Sequence, residues 1–435
     1  MSQPYTPVSK VPVHVVGMHP GSLTFSKTVW GLLAEADTIV GSRRLLAAAA
    51  LAQPPQEMSV MLDGALERIT QIPLASPLEL TIAKIREEIE AGRKTIVLAD
   101  GDPLFYGIGR LLLQELGSDA LYFHPNRTTL QVAAAKLKMV WQDIKTVSLH
   151  GRSAMAPLFS AMVKHDKIAV YTDHINTPGV IAQALLEKGA EGYTMTILED
   201  LETPQEIIRK LSPEEVWDLD FSPLNLIIIE RSYPPEFPVS LGAPDSNYLH
   251  ERGLITKQAV RAVGLSYLNI QPNSVVWDLG SGCGSVAIEA SALAYEGQVV
   301  AVEQHARRAA TIRENIRRMG AWIVDVVRGD LPEALDDQLK DAPTPDRIFI
   351  GGGLGGANNA ESDLLEKACD RLPHGGRIVL HCILLDTVSK ARKYFHAKGW
   401  NFGMTQVQVS ASKPLAGDLM LTPYNPVFII WAEKS

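Results

Sequence analysis

The sequence predicts an α/β chain with mostly parallel sheets, divided into two successive halves. Three observations carry this. Short apolar runs bounded by Gly, Pro or Asp alternate with helical stretches along most of the chain, the pattern of strand-helix-strand units. The series is interrupted once, by a Pro-rich segment near the middle. Where it resumes, a strand leads into three glycines at alternate positions and then a helix.

In the first half the predicted strands are "VHVVG", "TIVLAD", "TVSLHG", "IAVYTD", "YTMTILED" and "LNLIIIE". This half is long enough for two α/β lobes, which should meet between His124 and Thr129. From Arg231 to Asn247 the chain reads "RSYPPEFPVSLGAPDSN", and Pro234, Pro235 and Pro238 predict a stiff, extended connector. The division expected is therefore a domain over 1–232, a linker over 233–248 and a second domain over 249–435. In the second domain the predicted strands are "SVVWDLG", "QVVAVE", "WIVDVVRGD", "DRIFIGGG", "GRIVLHC", "GMTQVQVSA" and "NPVFIIWAE". The last two, separated by a long loop, predict a terminal antiparallel pair on a parallel sheet.

Composition narrows the function. The chain has 435 residues, 46% hydrophobic and 21% charged, an ordinary globular balance with room for two cores. A net charge of -8 argues against a general nucleic-acid binder but permits local basic pockets for an anionic small molecule. Cys283, Cys369 and Cys382 show neither a disulfide framework nor metal-ligand spacing, so no resident metal is expected. The first residues show no basic segment followed by an apolar one, and no apolar run is long enough to span a membrane. The expectation is a cytoplasmic enzyme or binding protein.

In "DLGSGCGS" the loop Gly280, Ser281, Gly282, Cys283, Gly284 follows a strand containing Asp278. Glycines there let a ligand approach the main chain, and the following helix offers its first amides to a polar group. Glu303 closes the next strand, where a carboxylate suits ribose hydroxyls, and Asp330 follows the third. A dinucleotide site prefers G-x-G-x-x-G, because its helix receives a pyrophosphate. Here the third glycine comes one residue early, which favours a nucleoside without pyrophosphate, S-adenosylmethionine. The plain alternative is a tight turn between strand and helix. Cys283 reads as a small packed residue.

The strings "GLITKQAVRAVGLSYL", "GDLPEAL", "PDRIFIGGGLGG" and "NPVFII" extend this reading. Over about 249–431 they resemble the decarboxylating precorrin methyltransferases of cobalamin biosynthesis. The resemblance implies a Rossmann-like class I S-adenosylmethionine methyltransferase. It also implies cofactor contacts from Thr256, the Gly280–Gly284 loop, Glu303 and Leu331. At His381 the family commonly carries Asn. Lys257 and His381 are candidates for orienting a carboxylate and supplying a proton during decarboxylation, against plainer readings as a surface lysine and a strand-end histidine.

In the first half, "TIVLADGDPLFYGIGRLLLQEL" ends a strand at Asp100 and turns at Gly101, and Asp102 and Pro103 are a good start for a helix. Together with Gly17 and the Pro20-Gly21 turn after the first strand, "TVSLHGR" and "LNLIIIE", it resembles the tetrapyrrole methylase family over about 11–231. That resemblance implies two lobes with S-adenosylmethionine in the cleft between them, near Gly17, Gly21, Gly101, Asp102, Tyr106, Gly107, Thr128 and Thr129. Two departures stand out: "GMHPG" has His19 where a glycine is usual, and "HPNRTTLQ" replaces a Ser-rich turn with Asn126 and Arg127.

In this order the halves resemble the fused precorrin-6Y C5,15-methyltransferase family. That implies one S-adenosylmethionine per domain and a precorrin substrate. It also implies methylation at C5 and C15, with loss of the C12 acetate carboxyl. Arg127 and Arg152 are candidates for substrate carboxylates, since Arg binds them bidentately, as are Arg43 and Arg44. Gly351, Gly352 and Gly353 would let a bulky ring approach the strand ends. Two other readings stay open: a first half that only holds the macrocycle, and a fusion acting on a cobalt-containing intermediate. A homo-oligomer is expected.

Overall fold

The computed structural model describes residues 13–18, 25–59, 65–150, 155–251, 253–351 and 360–435. The expected His19, Pro20, Gly21, Arg152, Gly352 and Gly353 lie outside them.

The first sheet contains β1 (Val13–Met18), β2 (Thr38–Gly41), β3 (Thr70–Pro73), β4 (Thr95–Asp100) and β5 (Leu121–His124). All are parallel, in the order β3-β2-β4-β1-β5. Both faces are covered, so β1 reads as a continuous apolar run. Its Val16 and Met18 pack with Trp30, Leu33 and Leu45 of two helices, and its Val13 and Val15 with Ile82, Ile85 and Leu112 of two others.

The second sheet contains β6 (Lys145–Ser148), β7 (Lys167–Tyr171), β8 (Tyr193–Glu199), β9 (Ile207–Leu211) and β10 (Asn225–Arg231), in the order β6-β7-β10-β8-β9. Only β6 and β7 are parallel; β10 runs antiparallel to both neighbours and β9 antiparallel to β8. The expectation of mostly parallel sheets fails here, because strand direction is set by the connections and not by the strands' own residues. The helix Thr129–Leu137 joins the lobes. Its Leu130, Val132 and Ala133 pack against Leu198, Leu226 and Ile228 of the second sheet.

The third sheet comprises β11 (Val275–Leu279), β12 (Gln298–Glu303), β13 (Val324–Arg328), β14 (Arg347–Ile350), β15 (Arg377–Cys382) and β16 (Asn401–Val407). After the hairpin β17 (Ser410–Leu415) and β18 (Asp418–Pro423), β19 (Val427–Glu433) completes it. The order is β13-β12-β11-β14-β15-β19-β16, parallel through β15, with β19 antiparallel to both β15 and β16. The terminal antiparallel pair is present, and the expected long loop contains the hairpin.

The Pro-rich segment is not a free spacer. The Arg318 guanidinium donates to both carboxylate oxygens of Glu236, at 2.7 and 2.8 Å, and stacks on Phe237. Gly242 and Ala243 donate their amides to Glu289. Neither anchor is visible in the proline spacing. Beyond the connector one apolar core runs unbroken between the second and third sheets, through Phe159, Met162 and Tyr193 to Trp322, Ile323 and Val324.

Candidate functional site

In the first half three strand ends converge. The Gly101 amide donates to the Met18 carbonyl at 2.6 Å, and Asn126 donates from its side chain to the Gly17 carbonyl at 2.9 Å. A Cβ on Gly17 would stand 2.2 Å from the Gly101 oxygen, so only glycine lets these loops close. Gly101 is left-handed at φ +58°. Behind them lies a cavity of about 690 Å³, whose wall includes Gly101, Asp102, Tyr106, Gly107, Thr128 and Thr129. The opposite wall comes from the second lobe, with Tyr171, Leu198 and Asn225. Its volume is in the range of small-ligand sites.

Asp102 does not cap a helix, as its Asp-Pro sequence predicts. Its carboxylate accepts the Leu104 amide at 2.8 Å within a turn, and the helix begins only at Gly109. Between them Phe105, Tyr106, Gly107 and Ile108 line the cleft. Tyr106 adopts φ +53°, and its hydroxyl donates to the Thr146 carbonyl across the lobes at 3.0 Å. Thr128 caps the helix Thr129–Leu137 in a reciprocal capping box with Gln131. Arg127 is exposed and pairs with Glu202 of the second lobe at 3.2 Å. Tyr171 was not anticipated. It ends β7 inside the cavity beside Tyr106, and burial pushes its phenol up to about 12. The only sequence signal was an aromatic at a strand end.

In the second half, Gly280, Gly282 and Gly284 all take left-handed angles, at φ +79°, +61° and +81°. The amides of Gly280 and Ser281 donate to the Val302 carbonyl. Buried Glu303 accepts the Gly282 amide on one oxygen and the His305 amide on the other, each at 2.9 Å. A Cβ on Gly282 would meet nothing within 4 Å, so the loop faces open space. The Gly329 amide donates to the Glu303 carbonyl, which brings exposed Asp330 and half-buried Leu331 to the same sheet end. Gly351 follows β14, the strand beside β11. Cys283 is buried, and burial pushes its thiol up. Asp278 is buried beneath the loop, accepts the Ala287 amide at 3.1 Å, and is pushed up to about 7 by burial.

Two model families match the chain. Tetrapyrrole (Corrin/Porphyrin) Methylases match residues 12–216, and the Precorrin methyltransferase domain matches residues 247–434. A Mycobacterium tuberculosis protein named precorrin-6Y C(5,15)-methyltransferase [decarboxylating] is 30% identical over 335 residues, covering 76% of this chain and 80% of that protein. The chain belongs to the precorrin-6Y C(5,15)-methyltransferase family. A Sinorhizobium member with the same name is 29% identical over 356 residues, covering 81% of this chain and 82% of its own. A solved structure of precorrin-6Y C5,15-methyltransferase from Geobacter metallireducens is 38% identical, with a TM-score of 0.41, covering 45% of this chain and 98% of its own. As a member of the precorrin-6Y C(5,15)-methyltransferase family the chain is a methyltransferase.

Within this family member the two expected catalytic residues part company. Lys257 precedes the helix Gln258–Leu268, with its ammonium 3.8 Å from Asp245. His381 lies buried on β15 against Phe349 and beneath Gly264, where a Cβ would come within 2.2 Å of its ring. Its Nε2 has no hydrogen-bond partner, and burial pushes its pKa down to about 3. This burial opposes protonation of the ring and keeps it out of contact with solvent.

Sequence reasoning missed the clamp that holds Thr256 and Lys257. Arg261 and Glu289, both fully buried, pair at 2.7 Å. Arg261 also donates to the carbonyls of Thr256 at 2.5 Å and Ala243 at 2.6 Å, and to Asp245 at 3.1 Å. Glu289 also accepts the Tyr248 hydroxyl. The clamp ties Gly242, Ala243, Asp245, Tyr248 and Thr256 to the helix Ser285–Leu293, which starts at the glycine loop. Its signal was an Arg and a Glu on otherwise apolar helix faces, since buried charges of this kind need partners.

Proposed function

We propose that the chain methylates precorrin-6B at C5 with its first half and at C15 with its second, removing the C12 acetate carboxyl to give precorrin-8X in cobalamin biosynthesis. The observation that carries this is the fusion itself: both domain types stand in one chain, in the order matched by relatives along most of its length.

Each half has residues suited to S-adenosylmethionine, which supplies an electrophilic methyl group when bound. In the second half the open face of Gly282 and the remaining lone pairs of Glu303 suit a nucleoside ribose. Thr256, Ser281, Asp330 and Leu331 would flank it. In the first half Gly101, Asp102, Tyr106, Gly107, Thr128 and Thr129 would hold the cofactor in the cavity between the lobes. The reacting meso carbons of a reduced tetrapyrrole are electron-rich, so the protein's main task is alignment. Lys257 would pair with the departing carboxylate and hold it across the ring system, whose conjugation accepts the electrons left by carbon dioxide. Arg127 would exchange Glu202 for a substrate carboxylate, and Gly351 would leave room for the ring. The division into domains over 1–232 and 249–435 belongs to the same reading.

Self-association fits the exposed apolar residues of the hairpin, Leu415, Leu419 and Leu421. Among the described residues no helix is long and apolar enough to cross a membrane, and a cytoplasmic setting suits a biosynthetic enzyme.

Mass spectrometry of the product formed from precorrin-6B and S-adenosylmethionine tests the proposal. Two methyl groups gained and one carbon dioxide lost is the expected result. One methyl gained with the carboxyl lost would reduce the first half to a carrier, and no change would reject the substrate.

A further inference from the structure

The two candidate sites lie at opposite ends of the sheets that join them. In the second sheet the cavity is lined at the ends of β7 and β8 and the start of β10, by Tyr171, Leu198 and Asn225. The second half docks at the other end of the same strands. Tyr193, the first residue of β8, accepts the Trp322 indole N–H at 2.9 Å. The Lys188 ammonium, in the turn before β8, donates to the Val324 carbonyl at 3.0 Å and to Asp325 at 2.5 Å. Ser160 donates to the Tyr295 carbonyl, and Lys164 lies over the Tyr295 ring.

In the third sheet these contacts also fall at the wrong end for catalysis. Tyr295 precedes β12, and Val324 and Asp325 open β13. The glycine loop, Glu303 and Asp330 lie at the finishing ends of β11, β12 and β13. Each site is thus set back from the interface between the halves by the length of a strand, β8 (seven residues) on one side and β12 (six residues) on the other, about 20 Å each at about 3.3 Å per residue. The space between is filled by the shared apolar core, with Met195, Ile197, Ile229, Val299 and Ala301 among its fully buried residues. A polycarboxylate macrocycle would have to displace those packed apolar side chains to pass through it.

Resting on the proposed function, we infer that the half-processed macrocycle leaves the site that acts first and reaches the second through solution. The two halves share a chain for joint production and mutual stabilisation, not for transfer of the intermediate.

Isotope dilution tests this. The full-length protein is given ¹³C-labelled precorrin-6B and S-adenosylmethionine, with an excess of unlabelled half-processed macrocycle. That competitor is made by a full-length variant disabled in one half, Gly17→Val in one arm and Glu303→Ala in the other. The expected result is that, in the arm whose competitor is the true intermediate, the label in the final product falls to that of the mixed pool. Undiluted label in both arms would overturn the inference, whether transfer occurs within a chain or between copies. So would failure of the unaltered protein to convert either intermediate supplied alone. Failure of the proposed function is separate: no doubly methylated product would form even without competitor.

Discussion

In the second half, the glycine loop and the acid that holds it, Glu303, fall within one strand-loop-helix-strand run, and the loop's hydrogen bonds stay within it except where the Asn315 side chain donates to the Cys283 carbonyl. The first cleft instead takes Gly17, Gly101 and Asn126 from the ends of three strands far apart in the chain, and its other wall from a different sheet. A loop closed by its own neighbours needs only to be anchored as a unit, which the Arg261–Glu289 clamp does. A cleft assembled from distant loops depends on each close approach separately. The second site should therefore be sensitive to its buried anchor, and the first to the bulk of single glycines.

The largest expected effect is on that anchor. Arg261→Met leaves Glu289 buried without its cation, and should destabilise the second half by about 3–5 kcal/mol. Denaturant unfolding followed by domain-specific fluorescence would measure it. A loss under about 1 kcal/mol would mean that the clamp is not holding the segment before the helix.

Gly17→Val comes next. It pushes a side chain into the Gly101 carbonyl, and displacements of about 1 Å near a reacting centre can slow a reaction roughly 100-fold. C5 methylation should fall by about that factor, while C15 methylation and decarboxylation continue unchanged. Product mass distinguishes the outcomes, and equal loss of both activities would break the comparison. Glu303→Ala should give the converse. Removing a charged acceptor from two amides should raise the KM of the second half for S-adenosylmethionine roughly 10- to 100-fold and leave C5 methylation intact.

The smallest effect is in the acid limb of stability. Burial holds the His381 pKa near 3, below its value in the unfolded chain, so the unfolded state takes up a proton first as the pH drops. The stability present above about pH 6.5 should fall on acidification towards pH 3. His381→Asn should be less stable at neutral pH but show a shallower acid limb in urea titrations. An unchanged slope would place the acid sensitivity elsewhere.

The same contrast explains what could be read from the sequence. All seven strands of the third sheet were visible, because their apolar or alternating runs are clearly bounded, and even four-residue β14 is continued by the glycines after it. In the first half β2, β3 and β5 escaped notice because four residues barely complete an alternation, and β9 because Arg209 and Lys210 interrupt an exposed edge. The second site was legible as a motif. The first became legible only through family likeness, since no local pattern reveals that Gly17 touches Gly101 or that Tyr171 faces Tyr106. The burial of His381 was not legible either, because it is decided by Gly264 on a helix much earlier in the chain.

Cofactor stoichiometry tests most directly the claim that two independently built methyl-transfer sites share this chain. Calorimetric titration with S-adenosylhomocysteine should give two sites per chain, falling to one in both Gly17→Val and Glu303→Ala, with a different site lost in each. One site in the unaltered protein, abolished by Glu303→Ala and untouched by Gly17→Val, would contradict the account and leave the first half a holder of the macrocycle.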